Sequence, residues 1–219
     1  GEAIRPVAKT DNPLIQEWSL DGKFVVGYSG NMGRAHEFKT MIDAAEQLKD
    51  DRRIVWVFIG DGIARQWLES EAASRGLTNV QFRPYQPAGH LRWSLSVPDV
   101  HVISLRPNLE GLIVPSKFYG VAAAGRPVIH VGDPDGEIAR ILHREQCGWA
   151  FGIGEVAPLT QCILRLAREP EEVETAGRQA REAFDRRYAR SHALQNWRVL
   201  LEAASAVVPR SSERMAQNL

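Results

Sequence analysis

Lys23-Phe24-Val25-Val26-Gly27-Tyr28-Ser29-Gly30-Asn31-Met32-Gly33 decides the fold of this chain. A β-branched and aromatic run stops at a glycine-bearing turn, and apolar residues then recur at Phe38, Met41, Ile42, Ala45 and Leu48. Consecutive apolar residues suit a strand buried on both faces, and the spacing after the turn suits an amphipathic helix. The unit is strand, glycine loop, helix, and it recurs. Ile54–Ile59 is predicted as a strand, Gly60-Asp61-Gly62 as a turn and 64–75 as a helix with Trp67, Leu68 and Ala72 on its apolar side. A short strand at 80–82, a loop at Tyr85-Gln86-Pro87, a helix reaching Leu95 and a strand at 100–103 come next. Ser116 is placed to cap a helix through Ala124, Gly125 to close it, and 127–131 is the following strand. Gly132-Asp133-Pro134-Asp135-Gly136 then leads into a helix at 137–144, and 148–151 forms a last short strand.

Short apolar strands alternating with amphipathic helices predict a doubly wound parallel α/β sheet of about six strands, because parallel neighbours need helical crossovers. Beyond it the chain is predicted helical over 156–168, 171–188 and 191–206, with a polar tail at 207–219 expected to fray. The expected division is a lead-in segment at 1–20, the α/β domain at 21–187, a terminal helix at 188–206 and the tail.

The 219 residues are 44% hydrophobic and 25% charged, enough for one well-buried domain. Lys plus Arg and Asp plus Glu balance at 27 each, so no net field steers the protein to nucleic acid or an anionic membrane, and any anion site must be local. Cys147 and Cys162 lack metal-like or redox-like spacing and sit among apolar residues, which suits a reducing cytoplasm. No apolar run approaches the roughly 20 residues of a membrane span. No histidine cluster, Ser-His-Asp set or zinc-ligand spacing occurs, and no metal site is expected.

In an open parallel sheet, ligands gather outside the carboxyl ends of the strands. Four glycine-bearing loops fall there. In Ser29-Gly30-Asn31-Met32-Gly33-Arg34 the glycines admit a phosphate close to the backbone, and the helix that follows is expected to present free N–H groups and a positive dipole end. His36 and Lys39 lie just beyond. The full Gly-x-Gly-x-x-Gly pattern is missing, which disfavours a nicotinamide dinucleotide. Gly60-Asp61-Gly62 is the second loop. The third, 105–117, brings Glu110, Arg106 and Lys117 beside the amides of Gly111, Leu112 and Ile113 and the candidate cap Ser116. A lysine in a first helical turn opposes the dipole, so Lys117 points to a bound phosphate; the plain alternative is a solvated loop in which it pairs with Glu110. In the fourth loop Asp133, Asp135 and Glu137 suit by type a metal or sugar hydroxyls; the plain alternative is acids that complement a helix dipole, the better reading for Glu137.

The ordered set of these loops resembles the C-terminal, donor-binding domain of bacterial retaining GT-B glycosyltransferases of family 4, of the kind that build O-antigen, capsule or exopolysaccharide. Each motif alone is common, but their order is specific: Gly-x-x-Gly, Gly60-Asp61-Gly62, Phe82-x-x-Tyr85, then Glu110-Gly111 and Pro115-Ser116-Lys117-Phe118-Tyr119 ahead of Ala-Ala-Ala-Gly-Arg-Pro-Val-Ile. The resemblance implies one Rossmann-like half of a GT-B fold that binds a nucleoside-diphosphate sugar, with uracil the expected base and no cofactor or metal. By it, Gly30, Asn31, Gly33, Arg34 and His36 face the diphosphate beside Gly60, and Tyr85 and Gln86 line the base. Glu110 contacts the transferred sugar. Gly111, Leu112, Ile113 and Ser116 approach the distal phosphate, and Lys117 supplies a cation.

Three features depart from the family pattern. Its usual Arg and Lys fall on Asn31 and His36, its second, ribose-holding glutamate falls on Gly120, and Glu110 stands two residues further than usual from the Ala-Gly-x-Pro signature. Ribose binding is therefore expected at Asp133 or Asp135. The resemblance further implies an N-terminal acceptor-binding domain as partner, cytoplasmic residence with possible contact with the inner face of the membrane, and no transfer by this half alone. Two alternatives stand beside it: a non-hydrolysing sugar-nucleotide epimerase of the same architecture, and a non-catalytic nucleotide-binding or interaction module.

Overall fold

A computed structural model describes residues 4–113 and 116–207. Six strands, β1 Phe24–Ser29, β2 Ile54–Ile59, β3 Val80–Arg83, β4 Val100–Ser104, β5 Val128–Val131 and β6 Gly148–Phe151, form one sheet in the order β3-β2-β1-β4-β5-β6. Every neighbouring pair is parallel. The order reverses between β1 and β4, which creates the crevice where ligands bind in such sheets. This is the expected doubly wound α/β class.

Nine helices accompany the sheet among the described residues: α1 Pro13–Glu17, α2 Lys39–Gln47, α3 Arg65–Ser74, α4 Leu91–Ser94, α5 Lys117–Ala123, α6 Glu137–Glu145, α7 Val156–Leu166, α8 Pro170–Ala183 and α9 Arg190–Val207. Strand pleating divides the core. Val26, Tyr28, Trp56 and Phe58 pack beneath α2, α3 and α7 on one face. On the other, Val25, Val55, Val57 and Ile59 meet Leu14, Ile15 and Trp18 around α1, while Ile103 and Val128 meet α5, α6 and α8.

Several local expectations are corrected. Ser116 precedes α5 in helical geometry (φ −59°, ψ −17°) and its side chain makes no cap, because a hydroxyl reaches the N2 or N3 amide only from an extended N-cap backbone. The predicted helix at 171–188 is instead α8 followed by a π-turn at Phe184–Tyr188. The lead-in contains α1, whose Asn12 side chain accepts from Leu14 N–H and whose Leu14 and Ile15 are buried. In α9, Leu194, Trp197, Leu200 and Leu201 are exposed. Pro115 of the third-loop motif and the tail from residue 208 onward lie outside the described residues.

Candidate functional site

The loops after β1, β2, β4 and β5 converge at the carboxyl edge of the sheet. The first two are bonded together: Gly30 N–H donates to the Ile59 carbonyl at 2.8 Å, and Met32 N–H to the Asp61 carbonyl at 2.7 Å. Gly60 (φ +133°) must be glycine because a Cβ there would collide with the Gly30 carbonyl. Tyr28, raised by burial above the ordinary phenol pKa, donates its hydroxyl to the Asn31 carbonyl at 2.6 Å. Arg65 braces the second loop through the Gly60 carbonyl at 2.6 Å.

The structure corrects the expectation that the glycine loop runs into a helix with free amides. α2 begins only at Lys39, and its first amides are occupied: the buried Glu37 carboxylate accepts from Lys39 N–H at 2.8 Å and Thr40 N–H at 3.1 Å. A carboxylate is the natural occupant of a helix N-terminus, so this one offers no place for a phosphate. What remains are loop amides, those of Asn31, Gly33, Arg34 and Ala35, which donate to no protein acceptor among the described residues. Asn31 is exposed, and its side chain lies between Gly33 and Gly62.

Lys117 opens α5 and reaches across Gly30 (φ +130°), with its Cε 2.7 Å from the point a Cβ there would occupy. Its Nζ stands 2.7 Å from His36 Nε2 and 5.5 Å from the centroid of the Tyr28 ring. Burial pulls its pKa down to about 8. His36 Nδ1 is 2.6 Å from the Ser104 carbonyl, and the Ser104 hydroxyl accepts from Glu37 N–H at 2.9 Å. Lys117 thus bonds to His36, not to Glu110.

Glu110 turns toward the fourth loop. Its Oε2 lies 3.5 Å from Glu137 N–H at the start of α6, its Oε1 is buried without a protein partner among the described residues, and a Cβ on Gly136 would collide with it. Glu110, Asp133 and Asp135 therefore share one flank, where Asp133 Oδ1 accepts from Asp135 N–H at 2.9 Å. Leu112 and Ile113 N–H both go to the Leu109 carbonyl, at 3.1 and 3.2 Å, and Gly111 (φ +75°) N–H meets no acceptor among the described residues. Ser116 is exposed beside them. Tyr85 forms an open shelf after β3, 55% exposed with its hydroxyl 3.4 Å from the Asp61 carbonyl, and Gln86 folds onto the Pro84 carbonyl at 3.1 Å.

Arg34 lines a cavity of about 580 Å³ with His36, Trp67 and Arg106. Gly120 lies inside α5, where a Cβ would meet only Leu95 Cδ1 at 3.6 Å. No group of three or more His, Cys, Asp and Glu able to hold a metal occurs among the described residues. Sequence reasoning missed Tyr28, Glu37, Arg65 and Ser104. Tyr28 and Ser104 carried a usable signal, a polar group at the carboxyl end of a predicted strand, whereas the roles of Glu37 and Arg65 depend on tertiary contacts.

The family model for glycosyl transferases group 1 matches residues 12–183. The chain belongs to this family. It is 29% identical over 146 residues to the probable glycosyltransferase WbjE of Pseudomonas aeruginosa, covering 67% of this chain and 36% of that protein. To the putative colanic acid biosynthesis glycosyl transferase WcaI of Escherichia coli K12 it is 29% identical over 121 residues, covering 55% of this chain and 30% of that one. The chain spans about a third of the length of these relatives. Anabaena HepE, solved in complex with UDP-glucose, superposes with a TM-score of 0.75 at 16% identity, over 93% of this chain and 55% of that chain. At that identity the likeness is one of fold, and it places this group 1 domain among GT-B structures. No described helix is long and apolar enough to cross a membrane.

Proposed function

We propose that this chain is the donor-binding half of a retaining glycosyltransferase that takes a UDP-sugar and serves the building of a surface polysaccharide. The observation that carries the reading is Lys117: a half-buried ammonium stretched over Gly30 beside the unspent amides of Asn31 and Gly33. Cations and amides fixed before a ligand arrives suit the negative charge that builds on a departing diphosphate, the main demand of such a transfer. The Tyr85 and Gln86 shelf receives the base, and Glu110, flanked by Asp133 and Asp135, faces the sugar. HepE was solved with UDP-glucose and WcaI is described as acting in colanic acid biosynthesis; both support the choice of donor and setting. The acceptor-binding residues belong to a second domain, in keeping with the greater length of the relatives, and this half alone is expected to bind nucleotide without transferring sugar.

Calorimetric titration of the chain with UDP, ADP and GDP tests the reading. UDP is expected to bind most tightly, and Lys117→Met to weaken it by at least about tenfold, the equivalent of one charge-assisted hydrogen bond. A chain that binds no nucleotide would overturn the proposal. In the complete enzyme, Lys117→Ala and Glu110→Ala are each expected to lower turnover at least about tenfold, and NMR of the product should show the donor's anomeric configuration retained.

A further inference from the structure

Lys117 forms no ion pair with a carboxylate among the described residues, and its one close polar side-chain partner is an imidazole. The chemistry of that partner is dictated from behind. The Ser104 carbonyl can only accept, so the proton on His36 Nδ1 must point to it across 2.6 Å. Nε2 is then the bare nitrogen, and it faces the Lys117 ammonium, which can only donate, at 2.7 Å. A chain of one polarity results: Lys117 N–H to His36 Nε2, His36 Nδ1–H to the Ser104 carbonyl.

The ring has little freedom to leave this register. It packs edge-on against Tyr28, with centroids 5.9 Å apart, and against Phe38 at 6.1 Å. Ser104 ends β4 and also holds Glu37 N–H through its hydroxyl, so one strand end grips two consecutive residues of the first loop. Burial, joined by the Lys117 charge, keeps the imidazole neutral, holding its pKa below the ordinary value against the opposing pull of the Ser104 carbonyl.

We propose that His36 is a positioning residue: as a neutral imidazole protonated on Nδ1, it holds the Lys117 ammonium over Gly30 without neutralising it, leaving the full positive charge to a bound diphosphate. The inference rests on the reading of Lys117 as the phosphate cation. An aspartate or glutamate at this place would hold Lys117 more tightly but cancel the charge; a lysine or arginine would repel it. A neutral acceptor does neither.

The test uses the full chain with UDP and uridine as probes, and NMR of the histidine ring nitrogens. Lys117→Met should lose UDP affinity and leave uridine binding unchanged; if it does not, the phosphate reading fails whatever His36 does. His36→Ala should weaken UDP about tenfold, the equivalent of about 1.4 kcal/mol. His36→Gln, whose amide can donate to Ser104 and accept from Lys117, should recover affinity to within about threefold of the parent. His36→Glu should not recover it, even with an unchanged melting temperature, because it pairs with the ammonium. Equal recovery by Gln and Glu, or by neither, overturns the proposal. The NMR needs no ligand: at pH 7 the His36 proton is expected on Nδ1, and Lys117→Met should shift the Nε2 resonance. A proton found on Nε2 would also overturn it.

Discussion

Gly30 joins the first loop to the third. Its φ of +130° lies where L side chains rarely go, and Lys117 passes through the space a Cβ would fill. Gly30→Ala is therefore expected to cost about 1–3 kcal/mol of stability, the scale of a strained backbone residue, and to dislodge Lys117 from His36. Urea unfolding reads the first effect and UDP calorimetry the second; an unchanged midpoint would show that the loop relaxes freely. The residues of this site were legible in the sequence as types: glycines after strand ends, one lysine at a helix start, one carboxylate in the third loop. Their pairing was not. Lys117 and His36 stand 81 residues apart, and nothing in the local pattern says that the lysine chooses an imidazole over Glu110. The expectation of free amides at the start of α2 failed for a similar reason, since that helix start is closed by Glu37, a residue whose burial only the packed loop explains.

Helices at the site's edge carry opposite stability effects. Glu37 holds the first amides of α2, so Glu37→Ala should destabilise by about 0.5–2 kcal/mol, the usual worth of an N-terminal cap. Gly120 sits within α5 at an ordinary helical backbone, with room for a methyl group against Leu95. Gly120→Ala should stabilise by about 0.5–1 kcal/mol, because alanine has less backbone freedom to lose on folding. Thermal melts of the two variants should move in opposite directions; a fall for Gly120→Ala would mean that α5 needs the gap. Elements were the most legible scale. β2 and β6 were found at their observed limits because each is an apolar run with a clear turn residue on one side. α1 was missed, since a helix of five residues is too short to show a period. The π-turn that ends α8 shifts hydrogen bonds without disturbing the apolar spacing, so no pattern announced it.

Across the molecule, the sheet buries two histidines that the proposed chemistry does not use. His101 in β4 meets the Leu95 carbonyl through Nε2 at 2.9 Å, and among the described residues His130 in β5 has neither ring nitrogen in a hydrogen bond. Burial pushes both to a pKa of about 4. Since an unfolded histidine titrates near 6.5, both are neutral in the folded state and protonated in the unfolded one between those values. Above about pH 6.5 neither state binds the proton and these groups contribute no pH dependence. As pH falls from there toward about 4, the unfolded chain takes up protons the folded chain refuses, and stability drops by about 1.4 kcal/mol per unit for each histidine, up to about 3 kcal/mol apiece over the whole window. His36, also held below its ordinary value, adds in the same direction. The carboxylates with lowered pKa, Asp43, Asp51 and Glu145, exert their effect below the usual carboxylate range and so overlap the window only at its acid end. Denaturant unfolding at intervals from pH 7.5 to 4.5 should therefore show stability level near pH 7 and then falling through pH 6 and 5. His101→Gln, which keeps a donor for the Leu95 carbonyl but cannot titrate, should reduce the slope by one proton's worth. A profile flat from pH 7 to 4.5 would mean that the folded sheet admits these protons as readily as water does.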